Sequence, residues 1–242
     1  MSSVSVTGWV VVIFLLANKY TAPATINMAG TRKSNVFFIA NLFNFKPKAA
    51  ESAGITKESL LNVFKDSDLA PKLESDKKTI ENIADLCVKV GKKENVDPRL
   101  LFAIAMQESD CGTNKNHAGS AKGAMGILPG AFKAVSENKN LNEGLKGTTH
   151  SQLATNDEKC ITIAARYLKI AAKELDSHGI DVSANDLKSN NLSENTWKIL
   201  SAYRWGAGTV ASDIRKDGDI DKSYEQDFRT YLQDMDVDIV LG

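Results

Sequence analysis

The chain has 242 residues, of which 43% are apolar, so it can bury a hydrophobic core without support from metals or disulfides. Thirty basic residues balance thirty acidic ones, which excludes the strongly basic surface of a typical nucleic-acid-binding protein. The three histidines and three cysteines show no metal-ligand spacing. We therefore expect neither a nucleic-acid partner nor a metal or other cofactor.

The first residues differ from the rest of the chain. No charge occurs from Met1 to Asn18, and residues 9–17 (WVVVIFLLA) are continuously apolar. A membrane-spanning helix needs roughly 20 apolar residues, and a secretory signal has a basic start, so the segment fits neither pattern fully. Residues 4–17 could be a divergent signal or anchor, an arm that docks on a partner, or a buried strand. A membrane- or export-related role is the favoured interpretation.

Helical periodicity begins at Glu58, and the alternating pattern of strands is absent after it. We predict a mainly α fold, with an N-terminal extension over residues 1–57 and one helical domain over residues 58–242. The segment 58–94 should supply one or two leading helices. Further helices are predicted after Asp97-Pro98, from Cys160 to Leu175, over residues 195–205 and over residues 224–234. Residues 112–130 should form a loop or a minor hairpin.

The three cysteines, Cys87, Cys111 and Cys160, cannot all pair within one chain. A disulfide between Cys111 and Cys160 is compatible with a protein that works outside the cytoplasm. The favoured alternative is three buried thiols that act as small apolar groups.

Glu108 is the candidate for chemistry. It shares a helical face with Leu101 and Ile104, near the end of the helix predicted after Pro98. Burial on this face disfavours the charged carboxylate, and so does the negative end of the helix dipole. Both effects raise the pKa, so a protonated Glu108 could donate a proton to a leaving oxygen, as glycoside cleavage requires. The alternative is an ordinary solvated glutamate at a helix end.

Three motifs in the same order resemble those of soluble lytic transglycosylases. Residues 96–109 (VDPRLLFAIAMQES) resemble the catalytic helix of that family, which ends on the catalytic glutamate and a serine. Residues 122–129 (KGAMGILP) look like a shortened form of its substrate loop, and residues 201–210 (SAYRWGAGTV) are similar to its Ala-Tyr-Asn segment. Residues 224–232 could match its closing helix. The resemblance covers about residues 95–232 and implies a lysozyme-like helical domain.

The resemblance also implies roles for individual residues. Glu108 is expected to protonate the glycosidic oxygen and then to take a proton from the muramyl 6-hydroxyl, which gives a 1,6-anhydro product without a second enzymic carboxylate. Ser109 should hydrogen-bond near Glu108 and hold its rotamer, and the Tyr203 hydroxyl should reach toward Glu108. Gly123 and Gly126 would let the loop approach the sugar, and Met125 and Ile127 would line the cleft. Arg204 and Gly206 complete the expected substrate-binding residues.

Two departures from the family pattern bear on these roles. The substrate loop lacks the residues that would include the family's sugar-gripping glutamine. Arg204 stands where the family commonly has asparagine. An arginine near Glu108 would favour the ionised carboxylate, or it could point away and bind an anionic group of the wall.

The sequence therefore predicts a peptidoglycan lytic transglycosylase of the cell envelope or periplasm, or a virion component that acts on the envelope. Peptidoglycan glycan strands are the expected partner, with a membrane or assembly contact through residues 4–17. A lysozyme-type hydrolase is the first alternative, with Asp110 as general base unless it merely caps the helix. A catalytically weakened structural component is the second. Trp205 could stack on a sugar or be buried.

Overall fold

A computed structural model describes residues 54–217, apart from Asp68, Asn116, Ala118, Asn190 and Asn191. The predictions made for the extension over residues 1–53, including the apolar segment 4–17, and for a closing helix near residues 224–234 lie outside the described residues. The proposed division of the chain at residues 57 and 58 stays a prediction.

The described part of the chain is helical, which confirms the predicted mainly α fold. Its α-helices are α1 (Lys57–Asp66), α2 (Lys72–Glu94), α3 (Pro98–Ser109), α4 (Pro129–Ser136), α5 (Asp157–Ser177), α6 (Glu194–Trp205) and α7 (Ala207–Asp217). Two short 3₁₀ helices, His150–Ala154 and Ala184–Leu187, lie in the connections. Helices α4 and α7 were not predicted from the pattern. Between residues 54 and 217, no helix is both long and apolar enough to cross a membrane.

Helix α3 begins where the sequence predicts it to begin. The Asp97 carboxylate accepts a hydrogen bond from the backbone N–H of Arg99 at 2.7 Å, and Pro98 occupies the first helical position. The helix ends at Ser109, because Asp110 turns into the left-handed region with a φ of 49°. The cap at each end is therefore set by residues next to it in the chain.

Helix α3 runs through the interior of the domain. Every residue from Leu100 to Met106 is at most 1% exposed, so the helix is buried on all sides and not on one face alone. It packs against α2 and α5, and α5 also contacts α4, α6 and α7. Glu108 thus stands at the end of a helix that the core holds rigidly.

A buried ion pair ties two of these helices together. Arg166 of α5 donates to Glu94 Oε1 from both Nε, at 3.0 Å, and Nη2, at 2.8 Å. Its Nη1 atom donates to the backbone carbonyls of Leu141 and Glu143, and Lys169 pairs with the other Glu94 oxygen at 3.3 Å. Burial raises the pKa of Glu94, but the two cations outweigh burial and hold it below its ordinary value. The pair anchors the connection between α4 and α5.

The cysteines follow the favoured interpretation. Cys87, Cys111 and Cys160 are all buried and unpaired, and the possible disulfide between Cys111 and Cys160 is not formed. Burial raises the pKa of the Cys160 thiol to about 12, so this group stays protonated near neutral pH.

Candidate active site

The Glu108 carboxylate lies at the C-terminal end of α3 and is only 9% exposed. Its Oε1 atom accepts a hydrogen bond from Nη1 of Arg204 on α6, at 2.8 Å. Burial raises the pKa of Glu108, and the positive charges of Arg204 and His117 lower it, with burial outweighing both. The pKa of Glu108 therefore lies above its ordinary value, as the sequence predicted, although Arg204 opposes the shift.

A short loop over residues 122–127, here called the glycine loop, covers this carboxylate. Lys122 and Ile127 close it with two backbone hydrogen bonds of 2.9 Å each. Gly126 packs directly on Glu108, since a β-carbon built at Gly126 would lie 2.4 Å from Glu108 Oε2. The close approach predicted for Gly126 is thus made to the carboxylate itself.

Gly123 is required for a different reason from the one predicted. Its φ is +74°, and a β-carbon there would lie 2.4 Å from the Leu153 carbonyl oxygen and 2.6 Å from Cys160 Sγ. These neighbours belong to the interior of the domain, so the absence of a side chain at Gly123 serves packing of the loop against Leu153 and Cys160, while approach of a sugar to Gly123 stays a prediction.

Met125 and Ile127 do not line a cleft with their side chains, contrary to the sequence-based expectation. Both side chains are buried in the core, with exposures of 0% and 1%. An alternation of small and apolar residues in a tight loop directs the large side chains inward, where they contribute apolar burial. The glycine loop therefore presents backbone and not side chains to its outer face at these two positions.

Ser109 and Tyr203 both hold the glycine loop through its carbonyls. The Ser109 hydroxyl donates to the Ala124 carbonyl at 2.7 Å and accepts the Gly112 backbone N–H at 2.7 Å. The Tyr203 hydroxyl donates to the Met125 carbonyl at 2.7 Å. These hydrogen bonds reach the loop that covers Glu108, and a direct action of Ser109 and Tyr203 on the carboxylate stays a prediction.

Two histidines hold the same loop at its ends. His117 Nε2 lies 2.6 Å from the Gly123 carbonyl oxygen, and His150 Nε2 lies 2.7 Å from that of Ile127. The sequence analysis showed only that the histidines lack metal-ligand spacing. No local pattern could have revealed these contacts. His150 is far in sequence from Ile127, and His117 lies in an irregular loop.

Asp110 turns away from Glu108 toward the start of α2. Its carboxylate forms an ion pair with Lys72, the first residue of that helix. The backbone N–H of Asp110 bonds to the Met106 carbonyl, so the residue also ends α3. This arrangement fits a residue that caps the helix better than it fits a general base.

Two large apolar side chains remain exposed near these elements. Trp205 is 46% exposed and Leu128 is 50% exposed. The Arg204 guanidinium lies 5.5 Å from the centre of the Trp205 ring, which links Trp205 to the ion pair at Glu108. Gly206 follows with a φ of 83° and turns the chain from α6 into α7.

A helical domain in which a buried glutamate ends a core helix beneath a glycine-containing loop has the form of a lysozyme-like domain. The model of one protein family, the transglycosylase SLT domain, matches residues 85–226, more than half of the chain. The chain belongs to this family. Membership implies a lytic transglycosylase-like domain that acts on peptidoglycan. No curated protein and no solved structure gives a significant match.

Proposed function

We propose that the protein is a peptidoglycan lytic transglycosylase that cleaves the MurNAc–GlcNAc β-1,4 bond and leaves 1,6-anhydro-MurNAc ends. The observation that carries this proposal is Glu108: a carboxyl group with a raised pKa, 9% exposed, at the end of the core helix α3. A protonated carboxyl in such a setting is the acid that glycoside cleavage needs.

The reaction needs only this one carboxyl group. Protonated Glu108 gives its proton to the glycosidic oxygen as the bond from that oxygen to C1 of MurNAc breaks. The Glu108 carboxylate then takes the proton of the muramyl 6-hydroxyl while the 6-oxygen bonds to the same carbon. Glu108 ends protonated, ready for another cycle, and no water is consumed.

Arg204 acts differently on the two stages. By stabilising the carboxylate, it favours proton transfer from protonated Glu108, although it lowers the fraction that is protonated at rest, and it makes the carboxylate a weaker base in the second stage. The ion pair is exposed on the Arg204 side, at 42%, so the guanidinium can shift when a glycan strand enters.

The other proposed site residues support this chemistry mainly through backbone. Ser109 and Tyr203 bind the glycine loop, and Gly126 closes on Glu108. Gly123 and Gly206 stay proposed as substrate-binding residues, whereas the buried side chains of Met125 and Ile127 only support the shape of the loop beside the carboxylate. The partner is the peptidoglycan glycan strand, and residues 4–17 are proposed to contact a membrane or an assembly in the envelope or in a virion.

A lysozyme-type hydrolase is the second candidate, since it would use the same acid. It requires a carboxylate that activates water, and Asp110 is engaged by Lys72. This ion pair favours the transglycosylase.

Digestion of purified peptidoglycan by the wild type and by Glu108→Gln, with products identified by mass spectrometry, tests the proposal. Glutamine keeps the shape and can still accept from Arg204, but it has no proton to give, so the rate should fall about 10³-fold. Glu81→Gln, at an exposed pair with Lys77, is the matched control and should retain full activity. Reducing-end products would assign a hydrolase, and a folded wild type without products would assign a structural role.

A further inference from the structure

The glycine loop is fastened at both ends by histidine side chains from separate parts of the chain. His117 comes from the irregular segment after α3, and His150 begins the 3₁₀ helix that precedes α5. Their targets, the carbonyls of Gly123 and Ile127, flank the residue that packs on Glu108. The proposed function gives neither histidine a part.

The chemistry of the contacts fixes the direction of both hydrogen bonds. A carbonyl oxygen can only accept, so Nε2 must carry the proton in each imidazole ring. Each carbonyl also accepts a backbone bond within the loop, from Gly126 N–H at 3.2 Å and from Lys122 N–H at 2.9 Å. Each histidine therefore adds a second donor to a carbonyl that already shapes the loop.

The rest of the His150 ring is also fixed. It packs at a tilt on the Phe132 ring of α4, with 5.7 Å between the ring centres. The Phe132 ring of α4 thus holds the imidazole ring whose Nε2–H donates to the Ile127 carbonyl of the glycine loop. This is the arrangement expected of a group that positions a loop, because its geometry does not depend on the loop alone.

We propose that His117 and His150 are positioning residues that hold the glycine loop against Glu108 for the reaction. This proposal rests on the proposed function. Gly126 forms one wall around the carboxylate, so movement of the loop would displace Glu108 from its productive geometry. A displacement of about 1 Å can reduce turnover by as much as about 100-fold. The substrate-binding surface elsewhere is left unchanged.

The experiment compares two substitutions at each histidine in the full chain. Phenylalanine removes the donor and, at His150, keeps the ring packed on Phe132, whereas glutamine keeps an N–H donor. His178, an exposed histidine at the end of α5, supplies the matched control His178→Phe. The readouts are kcat and KM on soluble GlcNAc-MurNAc oligomers, and hydrogen exchange of the Lys122, Gly126 and Ile127 amides.

We expect His117→Phe and His150→Phe to lower kcat about 10-fold, with KM within about twofold of the wild type. Amide exchange in the glycine loop should accelerate, and the glutamine variants should recover most of both properties. The control His178→Phe should match the wild type. Phenylalanine variants with unchanged kcat and unchanged loop exchange would overturn the proposal, and so would glutamine variants as impaired as the phenylalanine ones.

A separate measurement needs neither a variant nor activity. Nitrogen-15 spectra of the wild-type histidine rings should show the proton on Nε2 for both His117 and His150 near neutral pH. A ring with Nε2 unprotonated would overturn the proposal for that residue. If the wild type proves inactive, the proposed function fails, while these spectra and the loop exchange still test whether the histidines hold the loop.

Discussion

Nη1 of Arg204 lies 2.8 Å from Oε1 of Glu108, and this ion pair joins two helices across 96 positions of sequence. Glu108 thus combines a burial that favours the protonated acid with a cation that favours the carboxylate. Burial wins, so the pKa is raised, but the acid is held short of the pKa that burial alone would give it.

Arg204→Asn should shift the pH dependence of activity. Removing the guanidinium takes away a group that lowers the pKa of Glu108, so this pKa rises further. The acid then stays protonated to higher pH, and the alkaline limb of kcat/KM moves upward. A pH series with soluble glycan oligomers measures it, with Arg215→Asn on α7 as the control. If the alkaline limb of kcat/KM stays in place or moves to lower pH, Arg204 does not lower the pKa of Glu108.

Gly126→Ala should impair activity far more than stability. Its φ of +59° costs a non-glycine residue about 1 kcal/mol. The new β-carbon would meet Glu108 Oε2 at 2.4 Å, and the carboxylate would have to move, with a loss of activity of about 100-fold. Gly119→Ala is the matched control, because its φ is +81° and nothing lies within 4 Å of the added carbon. Thermal unfolding and peptidoglycan digestion separate the two effects, and similar activities for the two variants would refute the contact.

Asp110→Asn should leave most of the activity intact. The carboxylate pairs with Lys72, and asparagine tolerates the left-handed backbone that ends α3. Loss of a partly exposed ion pair costs at most about 1 kcal/mol, and turnover should stay within about threefold of the wild type. The products should remain 1,6-anhydro ends. A loss of 100-fold or more would instead identify Asp110 as the base of a hydrolase.

Glu94→Gln should destabilise the fold without touching the site. Removing one partner of a buried pair leaves Arg166 uncompensated, at a cost of about 3 kcal/mol in the free energy of unfolding. The lowered pKa of Glu94 means that its contribution is present above the ordinary carboxyl pKa of 4.5 and is lost as pH falls through the lowered value. The variant should therefore lose less stability on acidification.

Denaturant unfolding at a series of pH values measures both effects of Glu94→Gln. Glu81→Gln, whose exposed pair with Lys77 spans 3.8 Å, should change stability by less than about 0.5 kcal/mol. A wild type and Glu94→Gln that unfold with the same free energy would show that the buried pair contributes nothing.

The sequence by itself determined the features whose causes are local. Neighbouring residues set the Asp97-Pro98 cap, the apolar run through α3 and the position of Glu108 near the end of that helix. The family motifs are also short stretches of neighbouring residues. Burial of the Glu108 carboxyl raises its pKa, in the direction predicted. Helices α4 and α7 were missed because α4 begins inside a segment rich in loop-forming residues and α7 follows directly after Gly206.

Only the tertiary structure decided which groups meet at the carboxylate. The pairing of Arg204 with Glu108, the turn of Asp110 toward Lys72 and the two histidines on the glycine loop are contacts between separate elements. The core also took the side chains of Met125 and Ile127. Such contacts depend on how helices pack around α5, and side-chain packing across long sequence separations leaves no periodic signal in the chain.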